Sequence, residues 1–280
     1  MNECELAPMG AAAAGRGLAW LAGLTQDAAP LAGYPASLRV VDAELDGRAA
    51  RFIAVVPDGA NPFPRARHGE VGLAEGWQLA RAVHQWVDAH DAAAHKPPIV
   101  AIVDVPSQAY GRLEEAWGLH QALAAAVAAY ARARLAGHPV IGLIVGNAIS
   151  GAFLAHGYQA NRLIALDDSG VQVHAMGKAS AARVTQRSVE QLEALALRIP
   201  PMAYDVQSYA SLGLLWRSLH VAHPDAPGPQ DLATAGAALR DALASIRSDP
   251  DRGLAGRLDP AGRPASARVR ERLRQLWDEA

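Results

Sequence analysis

Apolar and polar positions first fall into a recognisable order between residues 37 and 57. Leu38, Val40 and Val41 run into Asp46-Gly47, and Phe52 to Val56 returns as a run of β-formers, which predicts a hairpin from Ser37 to Pro57. A proline-rich, basic loop from Pro57 to His68 follows. Leu73, Trp77, Ala80, Val83, His84 and Val87 then recur at helical spacing, completing a strand-strand-helix unit. Ile99 to Val105 is nearly all apolar and lies between Pro98 and Pro106, as a parallel strand buried on both faces would be.

A helix from about Arg112 to Ala136 stops at Gly137 and Pro139 and leads into a strand, Val140 to Val145. A loop from Gly146, a short helix from about Ser150, and the strands Arg162 to Leu166 and Val171 to His174 come next. From Ala179 to Arg247 the pattern is helical, broken at Pro200-Pro201 and at His223 to Pro229. The class is α/β with a helical C-terminal region, and no 20-to-50-residue repeat occurs in the sequence. Asp249 to Pro264 reads as a linker. Val269, Leu273, Leu276 and Trp277 could line one face of a final helix. Its arginines, Arg268, Arg270, Arg272 and Arg274, read as a solvated face, with partner docking as the alternative.

Composition narrows the classes. With 51% of its 280 residues hydrophobic, the chain can bury a large core, read here as one domain with tails. Lys and Arg number 26 against 28 Asp and Glu, so no basic excess exists to neutralise a nucleic-acid backbone. Cys4 is the only cysteine, which leaves no intrachain disulfide or thiolate metal cluster and points to a cytoplasmic chain. Met1 to Gly10 carries Glu3 and Glu5 without Lys or Arg, and Ala11 to Ala14 stops at Gly15 and Arg16, so no secretory leader is expected. Pro139 to Leu154 is interrupted by three glycines and Asn147, so no spanning helix is expected and the chain reads as soluble. His84, His90, His95, His120, His138, His156, His220 and His223 show no ligand spacing, and no metal is expected.

The segment from Ile99 to Gly177 carries a resemblance. Asp104-Val105-Pro106-Ser107-Gln108-Ala109-Tyr110-Gly111, a long helix, Pro139 to Val145, and Gly146-Asn147-Ala148-Ile149-Ser150-Gly151-Ala152-Phe153-Leu154 resemble the carboxyltransferase branch of the crotonase superfamily. The transferases' Gly-Gly pair is Gly151-Ala152 here. Phe63-Pro64-Arg65-Ala66-Arg67-His68-Gly69-Glu70, Ala155 to Arg162, Val173 to Lys178 and Pro201-Met202-Ala203-Tyr204-Asp205 extend the likeness to the family of malonate decarboxylase gamma subunits. It covers roughly Gly17 to Arg247. The resemblance implies a crotonase-like (ClpP/crotonase) domain of repeated ββα units over 17–247, after a disordered N-terminus (1–16) and before a linker and tail helix (248–280). It also implies a heterodimer with a homologous beta subunit. Together these would decarboxylate a malonyl thioester on an acyl carrier protein that bears a phosphoribosyl-dephospho-CoA arm, without biotin. A transferase subunit that loads the carrier would complete the set of partners.

Loss of carbon dioxide from a malonyl thioester leaves an enolate, and preorganised N–H donors aimed at its oxygen are the main help a protein can give. Gly146 and Asn147, in the run of small residues after a buried strand, are expected to bind substrate. The amides of Gly151 and Ala152, at the helix opening near Ser150, can then point into a pocket, or the segment can be a turn that binds nothing. Ser107, Gln108 and Ala109 offer a second donor loop after a parallel strand, or cap the following helix. Lys178 and Arg183 could face a carboxylate or phosphate, and Arg65, Arg67 and His68 an acidic carrier arm; surface charge is the alternative for both groups. His174 reads either as a catalytic group or as a hydrogen-bonded core residue. Ser150 and His174 also resemble the nucleophile and base of the Clp protease, a serine hydrolase of the same superfamily. That reading needs an orienting carboxylate, and Asp167 and Asp168 read as turn residues. A third possibility is a non-catalytic scaffold for the beta partner.

Overall fold

The computed structural model describes residues 15–251, 253–257 and 262–279. Cys4 and nearly all of the stretch expected to be disordered lie outside the described residues, while Arg16 already opens a helix, α1 (Arg16–Leu24). A seven-stranded sheet organises the chain in the order β1-β2-β3-β4-β5-β7, with β6 paired to β4. β1 (Leu38–Leu45) and β2 (Arg48–Val55) form the expected antiparallel hairpin. Asp46 and Gly47 take positive φ (58° and 67°), which a two-residue hairpin turn of the strand-matching hand requires. All later pairings are parallel: β3 (Ile99–Val105), β4 (Val140–Ile149), β5 (Arg162–Leu166), β6 (Gln172–His174) and β7 (Arg217–Leu219).

Nearly every β3 residue is buried, so both faces of the sheet need cover. One helical layer is α1 with α9 (Pro229–Ser248), which pack on each other and on the strands. The other is α2 (Leu73–Ala89) with α4 (Leu119–Leu135). These two approach so closely at Gly76 that a Cβ there would stand 2.8 Å from the backbone of Ala122. The rest of the chain adds α3 (Arg112–Ala116), α5 (Ser150–Ala155), α6 (Lys178–Thr185), α7 (Val189–Ala196), α8 (Val206–Ser211) and α10 (Pro264–Asp278). No helix among the described residues is long and apolar enough to cross a membrane.

Several expectations change. The helix expected over 112–136 is two helices, α3 and α4, because Gly118 between them takes a left-handed φ of 89°. On α2 the helical spacing holds, but Trp77 is 50% exposed while Leu79, Val83 and Trp86 face the core. β7 interrupts the stretch read as helical; at three residues it is too short to show alternation. The expected linker is partly packed. Arg257, only 7% exposed, donates to the carbonyls of Tyr158 and Ala160 at 2.6 and 2.8 Å and lies over the Tyr158 ring. α10 forms, yet Val269, Leu273, Leu276 and Trp277 are all exposed on it.

The change that matters most for function is in β4, which runs on to Ile149 through what was expected to be a loop. Its register against β3 slips between the Val103 and Val105 pairings. There the Asp104 carboxylate accepts from the Asn147 N–H at 3.0 Å in place of the broken ladder, and from the Gly17 N–H at 3.3 Å. Gly146 lies against that carboxylate so closely that a Cβ would overlap it. Beyond the bulge β4 leaves β5 and pairs with β6 through residues 147–149. Gly146 and Asn147 therefore shape the strand that delivers Ser150.

Beneath this strand end His156 is fully buried, with Nε2 on the Ile102 carbonyl at 2.9 Å and Nδ1 on the Tyr130 hydroxyl at 3.0 Å. A carbonyl only accepts, so Nε2 carries the proton and Nδ1 accepts from Tyr130. Burial pushes the imidazole pKa down to about 4, against the backbone contacts that raise it. The unfolded chain therefore binds a proton that the fold does not. His156 stabilisation is complete above pH ~6.5 and lost as pH falls toward the folded value, by up to ~3 kcal/mol. Urea unfolding at pH 7 and pH 4.5 should show this loss, and His156→Gln should flatten it. An equal loss in the variant would assign the acid sensitivity to other groups.

Candidate functional site

β4 turns into α5 without a connecting loop. Ser150 occupies the elbow with φ 65°, a left-handed backbone that costs a non-glycine residue ~1–3 kcal/mol and persists only where surrounding structure enforces it. The pairing of β4 with β6 on one side and the Asp104-held bulge behind it supply that enforcement. At the elbow the Ser150 hydroxyl and the Gly151 N–H converge on one oxygen, Gln108 Oε1, at 3.2 and 3.0 Å. α5 has only six residues, so oriented donors rather than a long helix dipole are what the elbow offers.

Ser150, Gly151 and His174 line the same pocket, about 390 Å3 in volume and walled by Phe153, Leu154, Tyr158, Val173, Pro200, Pro201, Leu212 and Leu214. Gly151 also borders a smaller cleft of about 290 Å3, in which Gln108 faces Leu119, His120, Leu123 and Leu154. The His174 ring stacks on Tyr204 with centroids 4.0 Å apart and planes 15° from parallel. Its Nδ1 lies 3.0 Å from the Met176 carbonyl and 3.2 Å from the Met176 N–H. Burial lowers its pKa, with the Met176 backbone contact acting in the opposite direction, so the ring is held neutral. Ser150 hydrogen-bonds Gln108 and not His174, and no carboxylate among the described residues contacts His174. Asp168 is paired with Arg16 at 2.5 Å, and Asp167 faces His220 at 3.4 Å. The arrangement lacks the orienting carboxylate that a Ser-His hydrolase uses.

The remaining sequence candidates lie partly at the elbow and partly apart from it. Ala152 is fully buried under the elbow in the first turn of α5. The Ala109 N–H donates to the Val71 carbonyl, and the Ser107 carbonyl accepts from the Val71 N–H, so that loop is tied down by its own backbone. Neither Ser107 nor Gln108 caps α3, whose N-cap is Gly111; the Gln108 side chain instead accepts from the Gly151 N–H in the first turn of α5. Gly146 and Asn147 sit in the β4 bulge. Lys178 borders a separate cleft of about 440 Å3, where it pairs with Glu193 at 2.8 Å and lies near the Tyr204 ring. Arg183 is exposed. Arg65 lies 3.9 Å from Glu114, Arg67 donates to the Asn61 carbonyl, and His68 lies 3.6 Å from Glu70.

Sequence reasoning missed the far wall of the pocket. Pro200, Pro201, Tyr209, Leu212 and Leu214 arrive there from 50 or more residues beyond the elbow, and Tyr158 from just after α5. Burial raises the Tyr209 hydroxyl pKa, against the pull of the nearby Arg257 cation. Nothing in their spacing marks these residues; the Pro201-to-Asp205 segment contributed to the resemblance without a role.

The pocket, the elbow and the parallel sheet that presents them can be set beside known proteins. The fold is the crotonase-type carboxyltransferase fold that the resemblance implied. The chain is 37% identical over 154 residues to a malonyl-S-ACP:biotin-protein carboxyltransferase, MADD, of Malonomonas rubra. That match covers 54% of this chain and 53% of the relative, so the chain spans about half the length of that curated protein. A chain of a Pseudomonas malonate decarboxylase hetero-tetramer solved with coenzyme A is 66% identical, with a TM-score of 0.90 over 94% of this chain and 100% of its own. A chain of the Pseudomonas malonate decarboxylase MdcD–MdcE hetero-dimer is 64% identical, with a TM-score of 0.87 over the same shares. The sequence model of the family MdcE, malonate decarboxylase gamma subunit, matches residues 66–277, about three quarters of the chain, and the protein therefore belongs to that family.

Proposed function

We propose that this chain works with a beta subunit, the counterpart of MdcD, as a carboxy-lyase that converts a malonyl thioester to an acetyl thioester and carbon dioxide. The acyl group is carried on an acyl carrier protein through a phosphoribosyl-dephospho-CoA arm, a transferase subunit loads that carrier, and the complex is cytoplasmic. The carrying observation is the convergence of the Ser150 hydroxyl and the Gly151 N–H on one carbonyl oxygen, Gln108 Oε1, in a small cleft that shares Gly151 and Leu154 with the larger apolar pocket. A thioester oxygen needs the same two donors when the bond between C2 and the carboxyl carbon breaks and the electron pair moves onto that oxygen. The Gln108 side chain must swing aside for the substrate to take its place. The apolar walls shield the enolate, and His174, which lines the larger pocket with Ser150 and Gly151, takes a proton from solvent and passes it to C2, returning to the neutral ring. The Malonomonas relative is named as a malonyl-S-ACP:biotin-protein carboxyltransferase, so its printed substrate is a malonyl thioester on an acyl carrier protein, the class proposed here. Full-length similarity to the decarboxylase assemblies favours proton capture without biotin.

The test is co-expression with the beta subunit and assay of a malonyl thioester, with and without avidin. Turnover is expected only in the complex and unaffected by avidin, because each subunit of such an assembly leaves part of the site open. Full turnover by the purified chain alone, or inhibition by avidin, would refute the reading.

A further inference from the structure

The Pro201-to-Asp205 segment meets β6 next to His174. The Val173 N–H donates to the Tyr204 carbonyl at 2.9 Å, which seats Tyr204 against the residue before His174. The Tyr204 ring then stacks on the His174 ring, and the Tyr204 hydroxyl donates to the Met176 carbonyl at 2.8 Å. That carbonyl is the one that His174 Nδ1 approaches at 3.0 Å. A carbonyl oxygen has two lone pairs, so it can accept from the Tyr204 hydroxyl and from an Nδ1–H together. One side chain thus fixes both the plane of the imidazole and the acceptor that meets its Nδ1. Burial raises the Tyr204 pKa, so the hydroxyl remains a donor. Tyr204 lines the separate cleft of about 440 Å3, where Lys178 Nζ, paired with Glu193, lies 5.5 Å from the centre of its ring. His174 lines the pocket and Tyr204 does not, so Tyr204 is placed to act through the imidazole rather than on a substrate.

We propose that Tyr204 is the positioning residue of proton delivery, holding His174 with Nδ1 on the Met176 backbone and Nε2 as the nitrogen that exchanges a proton. This rests on the functional reading above, in which His174 takes a proton from solvent and passes it to C2. In the charged ring the Nδ1–H donates to the Met176 carbonyl, and it still does so after Nε2 has given up its proton. The ring therefore needs no rotation between its two charge states. Without the stack and the anchored carbonyl the imidazole can turn, and a misplacement of about 1 Å costs on the order of 10^2 in rate.

The test is a double-mutant cycle on malonyl-thioester turnover by the complex with the beta subunit. It uses Tyr204→Leu, His174→Ala and the pair, with Tyr204→Phe as the conservative variant. Melting and beta-subunit affinity establish that each variant is folded and assembled. Tyr204→Leu is expected to lower kcat roughly 30- to 100-fold with KM within about twofold, and Tyr204→Phe, which keeps the stack, roughly 3- to 10-fold. On the His174→Ala background Tyr204→Leu should change kcat less than about twofold, because its effect runs through the imidazole. Equal losses on both backgrounds, a loss carried by KM alone, or parental turnover by Tyr204→Leu would overturn the inference and leave the functional reading in place. If the Tyr204→Leu complex does not assemble, Tyr204→Phe decides: a loss that vanishes on the His174→Ala background supports the inference, and a persistent loss or parental turnover overturns it. Parental turnover by His174→Ala would remove His174 from proton delivery and overturn that part of the functional reading together with this inference.

Discussion

Gly151→Val is expected to lower malonyl-thioester turnover of the reconstituted complex by about 10^2 to 10^3, the scale of a lost oxyanion donor. Gly151 has no left-handed backbone that would strain a side chain; the positive φ belongs to Ser150. What a branched side chain meets is space. A Cβ at 151 would overlap Gln108 Oε1 and stand 3.2 Å from Leu123 Cδ1. Gln108 is the end of a flexible side chain and can move away, so the fold should survive. The valine would then fill the position where a thioester oxygen has to sit against the Gly151 N–H. Partner affinity should therefore hold while kcat falls. The measurement is kcat for the complex beside beta-subunit affinity, and unchanged turnover would remove the elbow from the site.

The second large effect separates decarboxylation from hydrolysis through Ser150 and His174. In a hydrolase both are indispensable, and loss of either costs on the order of 10^3 to 10^6. In the decarboxylase Ser150 contributes one hydrogen bond. Ser150→Ala should cost ~1–2 kcal/mol, or about 5- to 30-fold in turnover. His174→Ala should cost about 10^2 to 10^4 with His174 as the proposed proton donor, and little with His174 as a core residue. The asymmetry agrees with the geometry, in which Ser150 bonds Gln108 and His174 has no carboxylate behind it among the described residues. Both variants are assayed in the complex, and the parent is treated with a serine-reactive fluorophosphonate. Covalent labelling at Ser150, together with ester hydrolysis that Ser150→Ala abolishes, would establish the hydrolase instead.

The family and much of the sheet are legible in the order of the amino acids alone. The hairpin around Asp46-Gly47, the strand Ile99 to Val105 and the strand Arg162 to Leu166 are where pattern and turn chemistry place them. Each is decided locally: alternation, an all-apolar run between prolines, or a turn that accepts positive φ leaves few alternatives. The motif from Gly146 to Leu154 likewise marks the elbow, and Ser150, Gly151 and His174 do share a pocket.

Tertiary structure alone decided how these residues are used. That the Gly151 N–H faces the Gln108 side chain, 43 positions away, follows from two parallel strands delivering their ends to the same edge of the sheet. That Gly146 and Asn147 form a bulge depends on Asp104, a residue of the neighbouring strand. The far wall of the pocket comes from residues 200–214, and the packing of the supposed linker comes from Arg257 reaching the Tyr158 and Ala160 carbonyls. Local pattern reports which side of its own element a residue faces. It carries no record of which distant element will be brought against that side, because that choice is made by the register and crossovers of the assembled sheet.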